Sequence, residues 1–362
     1  MQRSQQPDMA NTDMENTEEF DQDLDGELTQ GVKADHRRQS QIDHLIRTIK
    51  DSADKLAADQ TSRGDLKILS RALRELRYAF KVFSPYRRHR KVTVFGSART
   101  PTDDPDYLQA VAFGEAMARH DWLVVTGAAS GIMEAGHQGA GRDHSMGLNI
   151  MLPFEQEANS IIAGDHKLVH MKYFFTRKLM FVKECDAVVC LPGGFGTLDE
   201  ALEVLTLLQT GKRDPVPVVF LDAPGGNFWS GFDSFIQDQL LAKGMISQDD
   251  LSFYIVTDSC DRAVEELIDF YRVYHSMRYV HNDLVFRLNE PLTGTLLSEL
   301  NLAYSDIVSS GAITQQGSLE EEQDEPELAE LPRLVFQFNR RCLGRLRSLI
   351  DSINAGEIKD AH

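Results

Sequence analysis

A glycine-rich segment near the middle of the sequence has the composition of an anion site. Residues 187–191 are apolar, and residues 192–200 read Pro-Gly-Gly-Phe-Gly-Thr-Leu-Asp-Glu. Glycines leave backbone amides unobstructed, and the first turn of a helix presents free N–H groups with a partial positive charge. A buried strand, this loop and a helix that begins at Thr197 would hold a phosphate. Thr197 can cap that helix and donate its hydroxyl to the same anion.

Two charged side chains are candidates to act on a ligand held by this loop. Glu200 falls one helical turn after Thr197, where it either faces the ligand or serves as a helix-dipole partner or the second half of a capping box. Arg177 lies upstream, in Tyr-Phe-Phe-Thr-Arg-Lys at 173–178. A guanidinium there can fork onto a phosphate or stabilise a leaving group, and it is otherwise an ordinary surface base. The residue types alone leave both choices open.

Two common phosphate-binding motifs do not fit the sequence. A Walker A loop ends in Gly-Lys-Ser/Thr, whereas Gly211 and Lys212 are followed by an arginine. A dinucleotide fingerprint needs Gly-x-Gly-x-x-Gly early in the sheet. Neither the Gly-Ser pair at 96–97 nor the loop at 127–131 supplies it. The spacing therefore disfavours both a Walker A nucleotide site and NAD.

Short apolar segments alternate with helical ones between residues 91 and 276. This alternation predicts an α/β fold, a Rossmann-like doubly wound parallel sheet with helices on both faces. Ligands bind beyond the carboxyl ends of such strands, which is where the chain places its glycine loops. The pattern predicts strands at 92–95, 123–126, 146–152, 168–171, 186–191, 216–221 and 253–257, and helices at 107–120, 132–141, 174–183, 197–209, 229–241 and 263–275.

The flanking segments differ from this core. Residues 1–38 are polar and acidic, which predicts a disordered tail. Apolar residues at helical spacing predict a helical extension at 39–90. A second helical extension is expected at 277–362, with an acidic loop at 318–330 and a final amphipathic helix from about 331 to 354.

Charge and cysteine usage restrict the class of protein. Residues 1–30 carry nine acids and one base, and residues 318–330 carry seven acids and no base, so these segments contribute −8 and −7 to the formal net charge of −18. The remainder is close to neutral, which argues against nucleic acid as a partner. No apolar run is long enough for a membrane span. The thiols are expected to be free and the protein cytoplasmic; they are Cys185, Cys190, Cys260 and Cys342.

Taken together, these residues resemble the LONELY GUY (LOG) family, whose members are often mislabelled lysine decarboxylases. The similarity is carried by Arg177-Lys178, Asp186-Ala187 and the motif Pro-Gly-Gly-x-Gly-Thr-x-x-Glu at 192–200, within residues 91–276. The resemblance implies a phosphoribohydrolase that cleaves the N-glycosidic bond of a nucleoside 5′-monophosphate, without metal or organic cofactor. Cytokinin nucleotides, AMP and other monophosphates are the expected substrates. The extensions suggest the longer bacterial branch and a homodimer or higher homo-oligomer.

The resemblance also implies roles for individual residues. Arg177 and Glu200 would carry catalysis. The loop at 127–131 departs from the glycine run of many members, because alanine occupies positions 128 and 129. The alternative is a non-hydrolytic nucleotide or molybdenum-cofactor carrier on the same fold. The residues expected to bind the phosphate or line the nucleotide pocket are Gly193, Gly194, Gly196, Thr197, Ser97, Gly127, Gly131, Met133, Glu134 and Lys178.

Overall fold

The computed structural model describes most of the chain outside its termini. The acidic tail predicted at 1–38 lies outside the described residues. Within them, no helix is both long and apolar enough to cross a bilayer. The described ranges are 39–152, 157–323 and 325–356.

The chain divides into two units, of which the first comprises Met1–Leu66 and Gly317–Glu330. It contains helix α1 (39–58) and the start of helix α2 (Arg63–Phe83). The hydroxyl of Ser62 accepts a hydrogen bond from the backbone N–H of Asp65 at 3.2 Å, which satisfies a free amide in the first turn of α2. The acidic segment contributes two short 3₁₀ turns, at Glu320–Glu322 and Pro326–Leu328.

The second unit is built on a seven-stranded parallel sheet with the order β4-β3-β2-β1-β5-β6-β7. The order reverses direction between β1 and β5, so the predicted doubly wound α/β fold is confirmed, and its switch point lies between these two strands. The strands are β1 (Lys91–Phe95), β2 (Leu123–Thr126), β3 (Ser145–Ile150), β4 (Leu168–Met171), β5 (Ala187–Cys190), β6 (Val218–Leu221) and β7 (Ile255–Thr257).

Helices cover both faces of this sheet because its strands are apolar on both sides. In β5, Val188 and Cys190 pack with side chains of α5 and α6, whereas Val189 packs with α3, α4 and α8. Helix α7 continues as a π-helical turn at Ile236–Leu241. The helices are α3 (Pro105–Arg119), α4 (Ile132–Ala140), α5 (Phe174–Glu184), α6 (Phe195–Gln209), α7 (Phe228–Phe235) and α8 (Cys260–Phe270).

The prediction of a helical extension at 277–362 is wrong for much of this region, which contains strands. The region holds a four-stranded antiparallel sheet of order β10-β11-β9-β8 with its own apolar cluster. The helix expected from 331 is wrong at its start because Leu334, Phe336 and Phe338 alternate inward, a period of two that favours a strand. The elements are β8 (Tyr274–Val280), β9 (Asp283–Leu288), α9 (Gly294–Ala303), β10 (Val308–Gln316), β11 (Arg333–Phe338) and α10 (Leu343–Ala355).

Candidate active site

The glycine loops after β1 and β5 meet at the carboxyl end of the parallel sheet. The backbone N–H of Ser97, after β1, donates to the carbonyl of Pro192, after β5, at 3.1 Å. This bond fixes the two loops at the switch point of the sheet, where doubly wound folds bind their ligands.

A cavity of about 1050 Å³ opens at this place. Most of the predicted site residues line it, and they come from three loops, after β1, β2 and β5, and from helices α4, α5 and α6. Five aromatic residues add apolar surface, and they are Phe95, Phe174, Phe181, Phe195 and Phe228. The predicted residues that line the cavity are Ser97, Gly127, Met133, Glu134, Arg177, Gly193, Gly194, Gly196, Thr197 and Glu200.

The loop before α6 differs in one respect from the prediction. Helix α6 begins at Phe195 with Gly194 as its N-cap, and no side chain caps it. Thr197 is therefore the third helical residue, so the predicted Thr197 cap and the capping box with Glu200 are wrong. The extended backbone of Gly194 already provides the N-cap geometry two residues earlier. The amides of Phe195 and Gly196 then have no intrahelical acceptor and are available to an anion.

Close packing explains the first glycine of this loop. A Cβ atom on Gly193 would lie 2.2 Å from Oγ1 of Thr197 and 2.9 Å from the backbone N of Ser97. A Cβ atom on Gly194 or Gly196 would meet nothing within 4 Å. Gly193 therefore lets the two loops approach each other, while the other two glycines leave space open beside the free amides.

The guanidinium of Arg177 enters the cavity from the first turn of α5. Its Nη1 atom would lie 3.6 Å from a Cβ on Gly127, and its Cζ atom lies 5.0 Å from the ring centre of Phe174. Its Nε atom is buried and has no partner among the described residues. Burial lowers the pKa of Arg177, and the charge of Glu200 opposes this effect. The geometry thus presents a half-buried cation without an ion-pair partner in the described part of the chain.

The carboxylate of Glu200 is buried in the same cavity, with the residue only 5% exposed. Burial raises its pKa, and the charges of Lys178 and Arg177 act in the opposite direction. Its direct ion pair is with Lys178, whose Nζ atom lies 3.3 Å from Oε2 of Glu200. Lys178 is not among the described residues that line the cavity, so its predicted contact with the phosphate stays a prediction.

The two alanines of the loop after β2, residues 127–131, lie in different environments. Ala128 adopts a φ of 58° and is fully buried, and its methyl packs with Ile162 and Leu168 instead of facing the cavity. Ala129 does line the cavity. Gly131, with a φ of 65°, lies behind the cavity wall, where a Cβ would come within 2.3 Å of the carbonyl of Ser97. This glycine joins the loops after β1 and β2 and does not itself line the cavity.

Two buried asparagines at the β3 side of the cavity were missed by the sequence analysis. Asn159 donates to the carbonyl of Ala129 at 3.1 Å and lies 3.2 Å from Nδ1 of His137. Burial lowers the pKa of His137 to about 4, so this histidine is neutral scaffold. The Oδ1 atom of Asn149 is buried and has no partner among the described residues. No motif marks these residues, although an asparagine inside an apolar strand is itself an unusual sequence feature.

No group of histidine, cysteine, aspartate or glutamate side chains in the described ranges has the arrangement of a metal site. All four cysteines are free thiols.

Asp186, which precedes β5, accepts hydrogen bonds from Nη1 of Arg90 at 2.8 Å and from the backbone N–H of Lys91 at 2.9 Å. It therefore fixes the entry to β1.

The fold and the cavity define a Rossmann-like α/β protein with a glycine loop at a helix N-terminus, and a buried glutamate and a half-buried arginine beside it. A family model described as "Possible lysine decarboxylase" matches residues 126–267. Cytokinin riboside 5'-monophosphate phosphoribohydrolase LOG1 of Arabidopsis thaliana is 32% identical over 158 residues, 43% of this chain and 71% of that protein. LOG3 of the same plant is 30% identical over 188 residues, 51% of this chain and 84% of that protein. The chain belongs to the LOG family.

Two solved structures are similar over about half of the chain. The molybdenum cofactor carrier protein from Chlamydomonas reinhardtii has 20% identity and a TM-score of 0.36, covering 50% of this chain and 99% of its own. The molybdenum cofactor binding protein from the phototrophic bacterium Rippkaea orientalis has 22% identity and a TM-score of 0.34, covering 49% of this chain and 94% of its own.

Proposed function

We propose that the protein hydrolyses the N-glycosidic bond of nucleoside 5′-monophosphates, giving the free base and ribose 5-phosphate. The observation that carries this proposal is one cavity that combines the free amides of α6 with the buried carboxylate of Glu200 one turn later. Relatives of this chain at 32% and 30% identity are named cytokinin riboside 5'-monophosphate phosphoribohydrolases. Cytokinin nucleotides and AMP are the first substrates to test.

The geometry supports a division of tasks in this reaction. The amides of Phe195 and Gly196 hold the 5′-phosphate, whose binding energy anchors the ribose beside α6. The bond between C1′ and the base breaks with its electron pair going to the base, and the sugar acquires oxocarbenium character. Ionised Glu200 stabilises this charge and orients a water whose oxygen bonds to C1′. The proton released by the water ends on the departing base, whose negative charge Arg177 stabilises.

A panel of nucleotides tests the proposed function. Purified protein is incubated with a cytokinin riboside monophosphate, AMP, GMP, CMP and UMP, and free base and ribose 5-phosphate are separated by chromatography. Equal amounts of both products from at least one nucleotide are expected. Release from none of them contradicts the proposal. Tight nucleotide binding without release would instead favour the carrier alternative.

We also propose that the chain assembles as a homodimer or higher homo-oligomer through α2. Leu69, Leu73 and Phe80 on this helix are 48%, 55% and 39% exposed. Together with Leu76 they recur at steps of four, three and four residues, the spacing of a helix that packs along another helix. A second copy of the chain presents the same apolar stripe, which a two-fold axis can place face to face.

A charge in this stripe is expected to break the assembly. Light scattering should give the native protein a mass of at least twice 40.8 kDa. Leu73→Glu should return it to one chain, because a carboxylate cannot be buried between apolar helices without a partner. Leu302→Glu is the matched control, since Leu302 on α9 is 82% exposed, whereas the other leucines of that helix are buried or partly buried. A native mass of one chain, or an unchanged mass in Leu73→Glu, contradicts the proposal.

A further inference from the structure

We propose that Lys178 is a positioning residue, which holds the carboxylate of Glu200 in place and thereby leaves the neighbouring Arg177 free for the substrate. The chemical consequence rests on the proposed function. The structural part does not, because it concerns contacts among the protein's own side chains.

In the part of the chain that the structure describes, the contacts of the Lys178 ammonium all lie on α6. Its Nζ atom is 2.9 Å from Oδ2 of Asp199, 3.3 Å from Oε2 of Glu200 and 3.9 Å from Oε2 of Glu203. It also lies 3.4 Å from the carbonyl oxygen of Asp199. An ammonium has three N–H donors, so these acceptors account for its hydrogen-bonding capacity. A phosphate in the cavity would have to displace one of them.

The helix explains why adjacent residues have different partners. Consecutive side chains on an α-helix point about 100° apart, since 3.6 residues make one turn. From α5, Arg177 therefore points into the cavity while Lys178 points to α6. The pair Arg-Lys thus supplies one cation that contacts the catalytic carboxylate and one that does not.

Burial gives this ion pair more weight than a surface pair has. The side chains of Lys178 and Glu200 are 18% and 7% exposed, so water and salt screen their attraction only weakly. Burial lowers the pKa of Lys178, but its bond to Asp199 and the charge of Glu200 outweigh this and raise it. The lysine is consequently a cation at neutral pH.

Four charged or titratable groups face Glu200 within the described ranges. Arg177 and Lys178 face it from α5, Asp199 from its own helix, and the thiol of Cys190 from β5. Burial raises the pKa of Cys190 well above the physiological range, so this thiol is neutral. Among the described residues, loss of Lys178 leaves Arg177 as the remaining cation near Glu200, so the carboxylate is stabilised by one cation in place of two.

The test compares Lys178→Met and Lys178→Arg with Lys183→Met. Lys183 is a matched control on the same helix, where it pairs with Glu184 outside the cavity. We expect Lys178→Met to lower kcat about ten- to a hundredfold, as removal of an orienting partner typically does, with a smaller change in KM. The acidic limb of the pH–rate profile of Lys178→Met should move to higher pH, because loss of a cation raises the pKa of Glu200. Lys178→Arg should restore most of the rate, and Lys183→Met should match the native protein.

A second measurement does not depend on turnover. The pKa of the Glu200 carboxyl can be followed by ¹³C NMR, with its signal assigned by its loss in Glu200→Gln. A higher pKa in Lys178→Met than in the native protein supports the proposal, even if no nucleotide is hydrolysed. An unchanged carboxyl pKa overturns it, as does an unchanged pH profile in an active enzyme. Failure of the nucleotide panel alone overturns only the proposed function.

Discussion

Replacement of Glu200 by glutamine is expected to lower kcat by about a hundred- to a thousandfold, the effect of removing one preorganised electrostatic group from a transition state. Glutamine has nearly the same shape as glutamate but no charge to stabilise an oxocarbenium-like sugar. In the proposed complex the phosphate is held elsewhere, by the first amides of α6. KM should therefore change little, and steady-state kinetics on the best nucleotide of the panel separates the two effects.

The same variant should not be less stable than the native protein. Burial raises the pKa of Glu200 on folding. A carboxyl with a raised pKa in the folded state makes the protein less stable as the pH rises through that value, because the folded state favours the protonated form. A neutral glutamine removes this cost, so the thermal midpoint at neutral pH should stay the same or rise. Loss of activity with a much lower midpoint would point to a structural role instead.

Glu203→Gln is the matched control for this prediction. Glu203 lies one turn further along α6 and also approaches Lys178, at 3.9 Å, but its side chain is 42% exposed. It does not line the cavity within the described residues. If Glu203→Gln lost as much activity as Glu200→Gln, the loss would reflect the charge balance around Lys178 and not a specific carboxylate beside the ribose.

The parallel sheet was predictable because its signals are local. Each strand is a short apolar run and each helix has its own period, so the strands of the seven-stranded sheet could be located within a few residues. The C-terminal sheet was not predicted, because β11 and α10 follow each other closely in an amphipathic stretch. Only the pairing of β11 with β9 and β10 makes its period of two decisive.

The site shows the same division between local and non-local information. The glycine loop and its carboxylate lie within nine residues, so their proximity follows from the sequence. The partner of Lys178 cannot be predicted in this way, because the side of α5 that faces α6 depends on how both helices pack on the sheet. The buried environment of Asn149 likewise comes from the assembled cavity. Adjacent residues can have separate roles only when tertiary packing gives each of them a different neighbour.

Replacement of Gly193 by alanine is expected to have the second largest effect on activity. The added Cβ would come 2.2 Å from Oγ1 of Thr197 and 2.9 Å from the backbone N of Ser97. Real Cβ contacts are never this short, so the loop after β5 must move away from the loop after β1. A displacement of about 1 Å in a positioning element can cost about a hundredfold in rate. We expect kcat/KM to fall by about this factor and the affinity for ribose 5-phosphate to fall with it.

Calorimetric titration of ribose 5-phosphate isolates the phosphate end of the site from the chemical step. Gly231→Ala provides the control, because a Cβ on this α7 glycine meets nothing within 4 Å and the residue does not line the cavity within the described ranges. Both variants gain one methyl group, but only Gly193→Ala forces two loops apart. If Gly193→Ala bound ribose 5-phosphate as tightly as the native protein does, the anion would not be held by the amides that follow this glycine. The phosphate site would then have to lie at another loop of the switch point, such as the one after β1, and Glu200 would no longer be placed beside the ribose by the phosphate anchor.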